Sequence, residues 1–279
     1  MDYKYNEIEY AQLIYKNGLQ SPNHIPAQLR LTATYMRRIL DYKPKKLKEE
    51  FEKWCSLHIP DYNKASYYKI VNRAINQAVQ KNSTLIKLDS VPVYKEELDY
   101  LNNCLIFDEN HLEYENSCFC RKLMFTLMVQ LKINKAVSEM KNREGSVTYS
   151  GIYFQGGQKK YTALKKMAKL PDKTKINEDV IHYLYTSGLV TPLHSGVIRL
   201  DFMKAVYEME QSGSEPEIII DDFDRTGWYF DYYNKEKNIT LCEHCKRPYK
   251  KKSNHQKYCT ECAPVVNVKK QKIRDLKKS

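Results

Sequence analysis

Two short cysteine pairs, Cys242-Glu-His-Cys245 and Cys259-Thr-Glu-Cys262, constrain this chain more than any other stretch of it, with thirteen residues between them. Two cysteines three apart fit a tight knuckle with both sulfurs aimed at one ion. A second such pair, brought back by a short hairpin, completes a tetrahedron, which is the ligand pattern of a zinc site. The connecting segment carries Pro248, Ser253 and Asn254, with Tyr249 and Tyr258 on its flanks, and suits two short strands between the pairs. Behind Cys262 a run rich in lysine suits a basic helix. Knuckle, hairpin and a second pair entering a helix form the zinc-ribbon or treble-clef layout, with Cys242, Cys245, Cys259 and Cys262 around one structural Zn2+. Four protein sulfurs leave no open position for water or substrate, so this ion is expected to carry no chemistry. His244 and His255 are spare imidazoles. No signal-peptide pattern opens the chain and the cysteines are grouped, so reduced thiols in the cytoplasm are expected rather than disulfides.

Charge is concentrated in the same place. Residues 242–279 hold twelve Lys or Arg against Glu243, Glu261 and Asp275, a net of +9, which leaves +3 of the formal +12 for residues 1–241. Zinc with four thiolates adds about −2, and the tail stays basic. Lys250, Lys251, Lys252, Lys257, Lys269, Lys270 and Arg274 are therefore candidate phosphate contacts, with nucleic acid, duplex DNA first, as the expected partner. A merely solubilising tail is the bland alternative. No apolar run of the 279 residues approaches membrane-spanning length. Tyrosine outnumbers glycine 23 to 9 and lysine dominates the charges, a bias that matches AT-rich coding.

Ahead of the tail the periodicity is helical. Helices are expected over 5–20, 26–40, 45–57 and 64–81, the last placing Ile70, Val71, Ala74, Ile75 and Ala78 on one face. They make a helical module over 1–84. Its helix spacing and its Trp54-Cys55 position are similar to those of small helical modules that accompany primase and replication-initiation domains. Leu85–Tyr94 reads as extended and Lys95–Asn103 as a short helix. The helix from Cys118 to Met140 is apolar around nearly its whole circumference and should be central. A glycine-containing loop precedes a helix from Tyr161 to Leu170. A further helix follows, capped by Asn177 and ended by Gly188, and then a hairpin over 189–200. Helix, helix, turn, helix, hairpin is the order of a winged helix, assigned here to 85–211. Lys165, Lys166 and Lys169 could hold phosphates there. The third helix exposes Glu178, Asp179, His182 and Thr186, with no Lys or Arg to read bases.

Two further constellations carry less. Cys104, His111, Cys118 and Cys120 could form a second metal set, but residues two apart on a helix diverge, so buried thiols are the better reading. Residues 212–240 form a linker and a strand, and Asp221, Asp222 and Asp224 sit where that strand ends, as Mg2+-binding carboxylates of nucleases and polymerases do. No surrounding sequence completes such a core, so these carboxylates are read as structural. The aromatic run Trp228–Tyr233 is expected to join the last module, 241–279, to the body.

The cysteine pairs, the Lys252-Ser-Asn-His-Gln-Lys-Tyr-Cys259 approach and the basic run behind them resemble those of uncharacterised zinc-ribbon proteins of phages and mobile elements of low-GC Gram-positive bacteria. That resemblance implies a mainly α chain with a helical N-terminus, a winged-helix-like centre and a C-terminal ribbon. It also implies nucleic-acid transactions. The leading expectation is a non-enzymatic DNA-binding protein of replication initiation or transcriptional control. The alternative is an adaptor that docks host replication or transcription proteins, and an Mg2+-dependent enzyme ranks last.

Overall fold

The computed structural model describes residues 5–141, 151–210 and 215–276, with side chains through 271 apart from Ser195, Glu210 and Lys270. The chain is mainly helical and parts into two compact units, Met1–Asp89 with Ile133–Tyr149, and Ser90–Lys132 with Ser150–Ser279. This differs from the expected succession 1–84, 85–211, 212–240 and 241–279. The reason is pairing across long sequence distances, which gathers the last three stretches into one unit and cedes 133–149 to the first.

The first unit is built on α1 (Glu7–Asn17), α2 (Ile25–Arg38), α3 (Pro44–His58) and α4 (Lys64–Val79). Asn6 and Asn63 cap α1 and α4, each side-chain oxygen accepting from first-turn amides. Leu47, Phe51, Trp54 and Cys55 recur at i, i+4, i+7, i+8 along α3 and meet Val71, Ala74, Ile75 and Ala78 of α4 in one core with Leu29, Ala33 and Met36. Trp54 stacks on Phe51 with ring centroids 6.0 Å apart and donates its Nε1–H to the Tyr15 carbonyl at 2.9 Å. All four helices lie within two residues of their expected limits except at the end of α1, which stops three residues early at Asn17, before Gly18.

In the second unit, β1 (Val91–Val93) pairs antiparallel with β5 (Ile218–Ile220), Val91 opposite Ile220. Between them in sequence come α5 (Lys95–Asn103), α6 (Ser117–Met140), β2 (Tyr153–Gln155) and α7 (Gln158–Met167). A π-helical segment Ile176–Ile181 then runs into α8 (His182–Thr186), β3 (Val190–Pro192), β4 (Val197–Leu200) and α9 (Met203–Glu210). Strands β2, β3 and β4 form an antiparallel sheet of order β2-β4-β3, with Tyr153 opposite Arg199 and Val190 opposite Leu200. The strand β2 lies where sequence suggests only a glycine-containing loop. Asn177 does not cap the third helix: the Lys175 N–H donates instead to Asp179 Oδ2 at 2.7 Å, and the segment opens as π-helix.

Leu123, Met124, Phe125, Leu127, Met128 and Leu131 of α6 are fully buried, as the all-round apolar pattern requires. One charge joins them. Lys132 lies 2.6 Å from Glu97, and their side chains are 4% and 0% exposed. Glu97 also accepts from the Tyr94 N–H at the start of α5, and Lys132 donates to the Pro92 carbonyl. The aromatic run is a helix, α10 (Thr226–Tyr233), whose Phe230 meets Phe125 at 5.1 Å. Gly227 on α10 touches the main chain at Ala168, where any Cβ would overlap the carbonyl. No helix of the described residues is long and apolar enough to cross a membrane.

Removing one partner of a buried ion pair strands the other. Lys132→Met is expected to destabilise the protein by about 3–5 kcal/mol, and the double variant Lys132→Met, Glu97→Gln by clearly less. Urea unfolding of the three proteins checks this.

Candidate metal centre

The cysteine module begins with β6 (Ile239–Leu241), which turns through the first pair into β7 (Pro248–Lys250), Leu241 opposite Pro248. The first knuckle thus forms the tip of the hairpin. The two strands do not both lie between the pairs, as sequence alone suggests. The turn itself explains this: the Lys246 N–H donates to the Cys242 carbonyl and the Cys242 N–H to the Arg247 carbonyl, both at 2.9 Å. Lys246 sits at φ 62°, the left-handed conformation such a tight return requires. Residues 251–258 are a loop pinned by Gln256, whose Oε1 accepts from the Lys252 N–H and whose carbonyl accepts from the Tyr249 hydroxyl. Cys259 then leads into α11 (Cys262–Leu276), with the Cys262 and Ala263 amides donating to the Cys259 carbonyl.

This arrangement brings the Sγ atoms of Cys242, Cys245, Cys259 and Cys262 within 4.8 Å of one another, and those of Cys245 and Cys259 to 4.0 Å. Metal–sulfur bonds of about 2.3 Å in a tetrahedron separate sulfurs by roughly 3.8 Å, so the four thiols fit a single ion. Cys242 and Cys259 are buried and the other two half-buried. Burial resists ionisation of Cys242, yet amides of Cys245, Cys259 and His244 directed at its sulfur bring its pKa down to about 6. The Cys262 thiol is pushed up by burial and by hydrogen bonds with its three neighbours. One thiolate is thus ready, and a bound cation would draw off the remaining protons. Comparisons with protein-family models, curated proteins and solved structures return no match.

Around the sulfurs lies a shell of which sequence reading anticipates Trp228, in the aromatic run expected to join this module to the body, but not Arg225. Arg225, 7% exposed, contacts Asp222 at 3.2 Å and Glu261 at 2.5 Å. Burial works against its charge, but hydrogen bonds to Cys259 and Glu261 hold the guanidinium protonated above its ordinary range. A tetrathiolate centre with a divalent ion carries about −2, and a buried cation beside it offsets part of that charge. Trp228 packs on the same cluster. Arg247, next to the knuckle, reaches Asp221 at 3.0 Å and Asp222 at 3.7 Å, and the Tyr229 hydroxyl donates to Asp221. Asp221 and Asp222 thus accept from arginines at the edge of the module. Asp224 is exposed.

Among the described residues, the four C-terminal cysteines are the sole group of three or more His, Cys, Asp or Glu side chains close enough to share an ion. Cys104, His111, Cys118 and Cys120 do not gather: Cys120 donates to the Val180 carbonyl and Cys118 is exposed. His244 and His255 are exposed and outside the sulfur group. Of the basic candidates, Lys250, Lys252, Lys257 and Lys269 are exposed and Lys251 half-buried, while the side chains of Lys270 and Arg274 lie outside the described residues. Lys257 pairs with Glu243 at 3.3 Å. Lys166 is exposed, Lys165 donates to the Asp172 carbonyl, and Lys169 sits 4.8 Å over the Trp228 ring. Lys169 and Lys250, from two separate stretches of sequence, line one pocket.

Replacing Cys242 with Ser is expected to abolish metal retention and to expose the amides of 239–264 to hydrogen exchange, leaving those of α2–α4 protected. Arg225→Gln keeps all four ligands but removes the buried cation, and should weaken metal affinity about tenfold or more in chelator competition.

Proposed function

We propose that the chain is a non-enzymatic DNA-binding protein of a phage or mobile element, acting in replication initiation or transcriptional control. Its C-terminal module is held by one structural Zn2+. The observation that carries this reading is the exposed lysine set, Lys250, Lys252, Lys257 and Lys269, displayed on a module nucleated by four sulfurs. Rigid presentation of cations suits phosphate contacts, which fix a protein on the duplex without reading sequence. A closed sulfur tetrahedron favours zinc, because thiolates suit it and no redox or open coordination site is needed. The knuckle at a hairpin tip and the second pair at a helix start support the treble-clef form. The strand order β2-β4-β3, with α7 and α8 between β2 and β3, supports a winged-helix centre. Cytoplasmic DNA transactions are consistent with thiols kept reduced.

A second reading, an adaptor for host replication or transcription proteins, is favoured by the third helix. Its acids are engaged locally, Glu178 with Lys175 at 2.6 Å and Asp179 with the Lys175 amide, and His182 faces Glu109 at 3.2 Å. Nearby Tyr185 and Leu193 are exposed by 56% and 42%. A face with apolar side chains and no Lys or Arg suits protein better than a DNA groove.

A salt series decides between them. Duplex binding by the intact protein should fall steeply with salt. Lys252→Ala, Lys257→Ala and Lys269→Ala together should lower the log–log slope by roughly 0.9 for each phosphate left without its lysine. Elemental analysis of protein prepared under reducing conditions should give one zinc per chain. Binding unchanged by the triple substitution and insensitive to salt would move the choice to the adaptor.

A further inference from the structure

Beside α10, the start of α6, the turn after α7 and the β6–β7 hairpin enclose a pocket of about 440 Å³. That volume falls in the range of small-molecule sites. Arg121, Lys122, Lys169, Lys237 and Lys250 line it against only Asp231 and Glu236. Lys122 is tied to Asp231 at 2.6 Å, and Arg121 to Glu113 and the Cys104 carbonyl at 3.1 Å. Lys237 and Lys250 project exposed from the rim, and Lys169 lies over Trp228. Burial lowers the pKa of Lys169 even against the pull of Asp224 and Asp222, so an anion at this spot would ease a cost already present. The wall is not merely charged. Phe119, Trp228 and Ile239 are half-buried and face the same space.

Cations converging on a partly aromatic wall suit a ligand with a dianionic head and a flat apolar body. A phosphomonoester carries about −1.5 to −2 charge at neutral pH, more than a backbone diester offers at any one point. Nucleobases stack on aromatic side chains regardless of sequence. We propose that this pocket binds a nucleoside monophosphate, present either as the phosphorylated end of a DNA strand or as a free nucleotide. The assignment rests on the nucleic-acid reading above and names the chemical group recognised. Lys169, Lys237 and Lys250 hold the phosphate, and the wall at Phe119 takes the base.

The test compares four probes by calorimetry on the full, metal-loaded chain: a short single-stranded DNA with a terminal phosphate, the same DNA with hydroxyl ends, free dAMP and inorganic phosphate. The phosphorylated strand should bind at least about tenfold tighter than its hydroxyl-ended twin, the worth of one or two charge-assisted hydrogen bonds. Lys237→Ala with Lys250→Ala should erase that difference, and because both side chains are exposed the fold is not at risk. If dAMP alone binds with the same dependence on the two lysines, the source is the free nucleotide. The pocket then stands without a DNA end, and the duplex salt series decides the DNA reading. Equal binding of both strands, unmoved by the substitutions, overturns the pocket and leaves DNA binding intact. Inorganic phosphate binding as tightly as dAMP overturns the assignment of a nucleoside, and no binding of any probe overturns the pocket while the duplex salt series decides the DNA reading.

Discussion

Four sulfurs brought within reach of one ion hold together a segment that has almost nothing else to fold around. The buried hydrophobic cluster of the C-terminal module consists of Cys242, Tyr249 and Cys259, so two of its three members are candidate ligands. A core that small cannot offset the conformational entropy of the nearly forty residues around it. Binding of an ion at the four sulfurs would supply that free energy, which for structural zinc in small modules amounts to about 10–16 kcal/mol. The hairpin, the loop pinned by Gln256 and the start of α11 all take their positions from this point. Trp228 of α10 and Arg225 just ahead of that helix lean on it, so a bound ion would also stiffen the surface formed there.

Arginine and lysine divide the work. The chain has 36 lysines and only ten arginines. Each arginine of the second unit whose side chain is described makes a directed contact: Arg121 with the Cys104 carbonyl, Arg199 with Asp201, Arg225 with Asp222 and Glu261, Arg247 with Asp221 and Asp222. A planar guanidinium fits such forked acceptors, while the lysine ammonium serves as a mobile point charge. The carboxylates that resemble a catalytic set are the complement of this pattern. Asp221 and Asp222 follow β5 where Arg225, three residues beyond Asp222, and Arg247, from the cysteine module, find acceptors.

How much of the molecule is legible in its sequence follows from the range of each interaction. Helices α1 to α6 appear there because their periodicity and caps are local, and the cysteine ligands because their spacing is. The strand β2 is hidden, since three residues between glycines carry no pattern until β4 pairs with them. Tyrosines and turn residues between the cysteine pairs suggest a hairpin there, whereas the knuckle itself is the turn. Asn177 has the chemistry of a cap, but Asp179 captures the open amide and admits a π-helical turn. Trp228 is legible as part of an aromatic run that joins the module to the body, whereas Arg225 carries one faint signal, an arginine in a chain poor in them. Its partners Glu261 and Cys259 lie far along the chain, and no local rule could name them.

The contact between Gly227 and Ala168 sets how fast the neighbouring pocket can exchange its contents. Main chain meets main chain there, with no side chain in between to change rotamer. Lys169 follows directly on one side and Trp228 on the other, so backbone fixes where both side chains start. Side chains on a rim reorient in picoseconds to nanoseconds, whereas backbone elements shift over microseconds to milliseconds. On the faster timescale only side chains move at this wall. Entry and departure would be governed by the mobile lysines of the rim, and the residence time of an anion would then shorten as salt is raised.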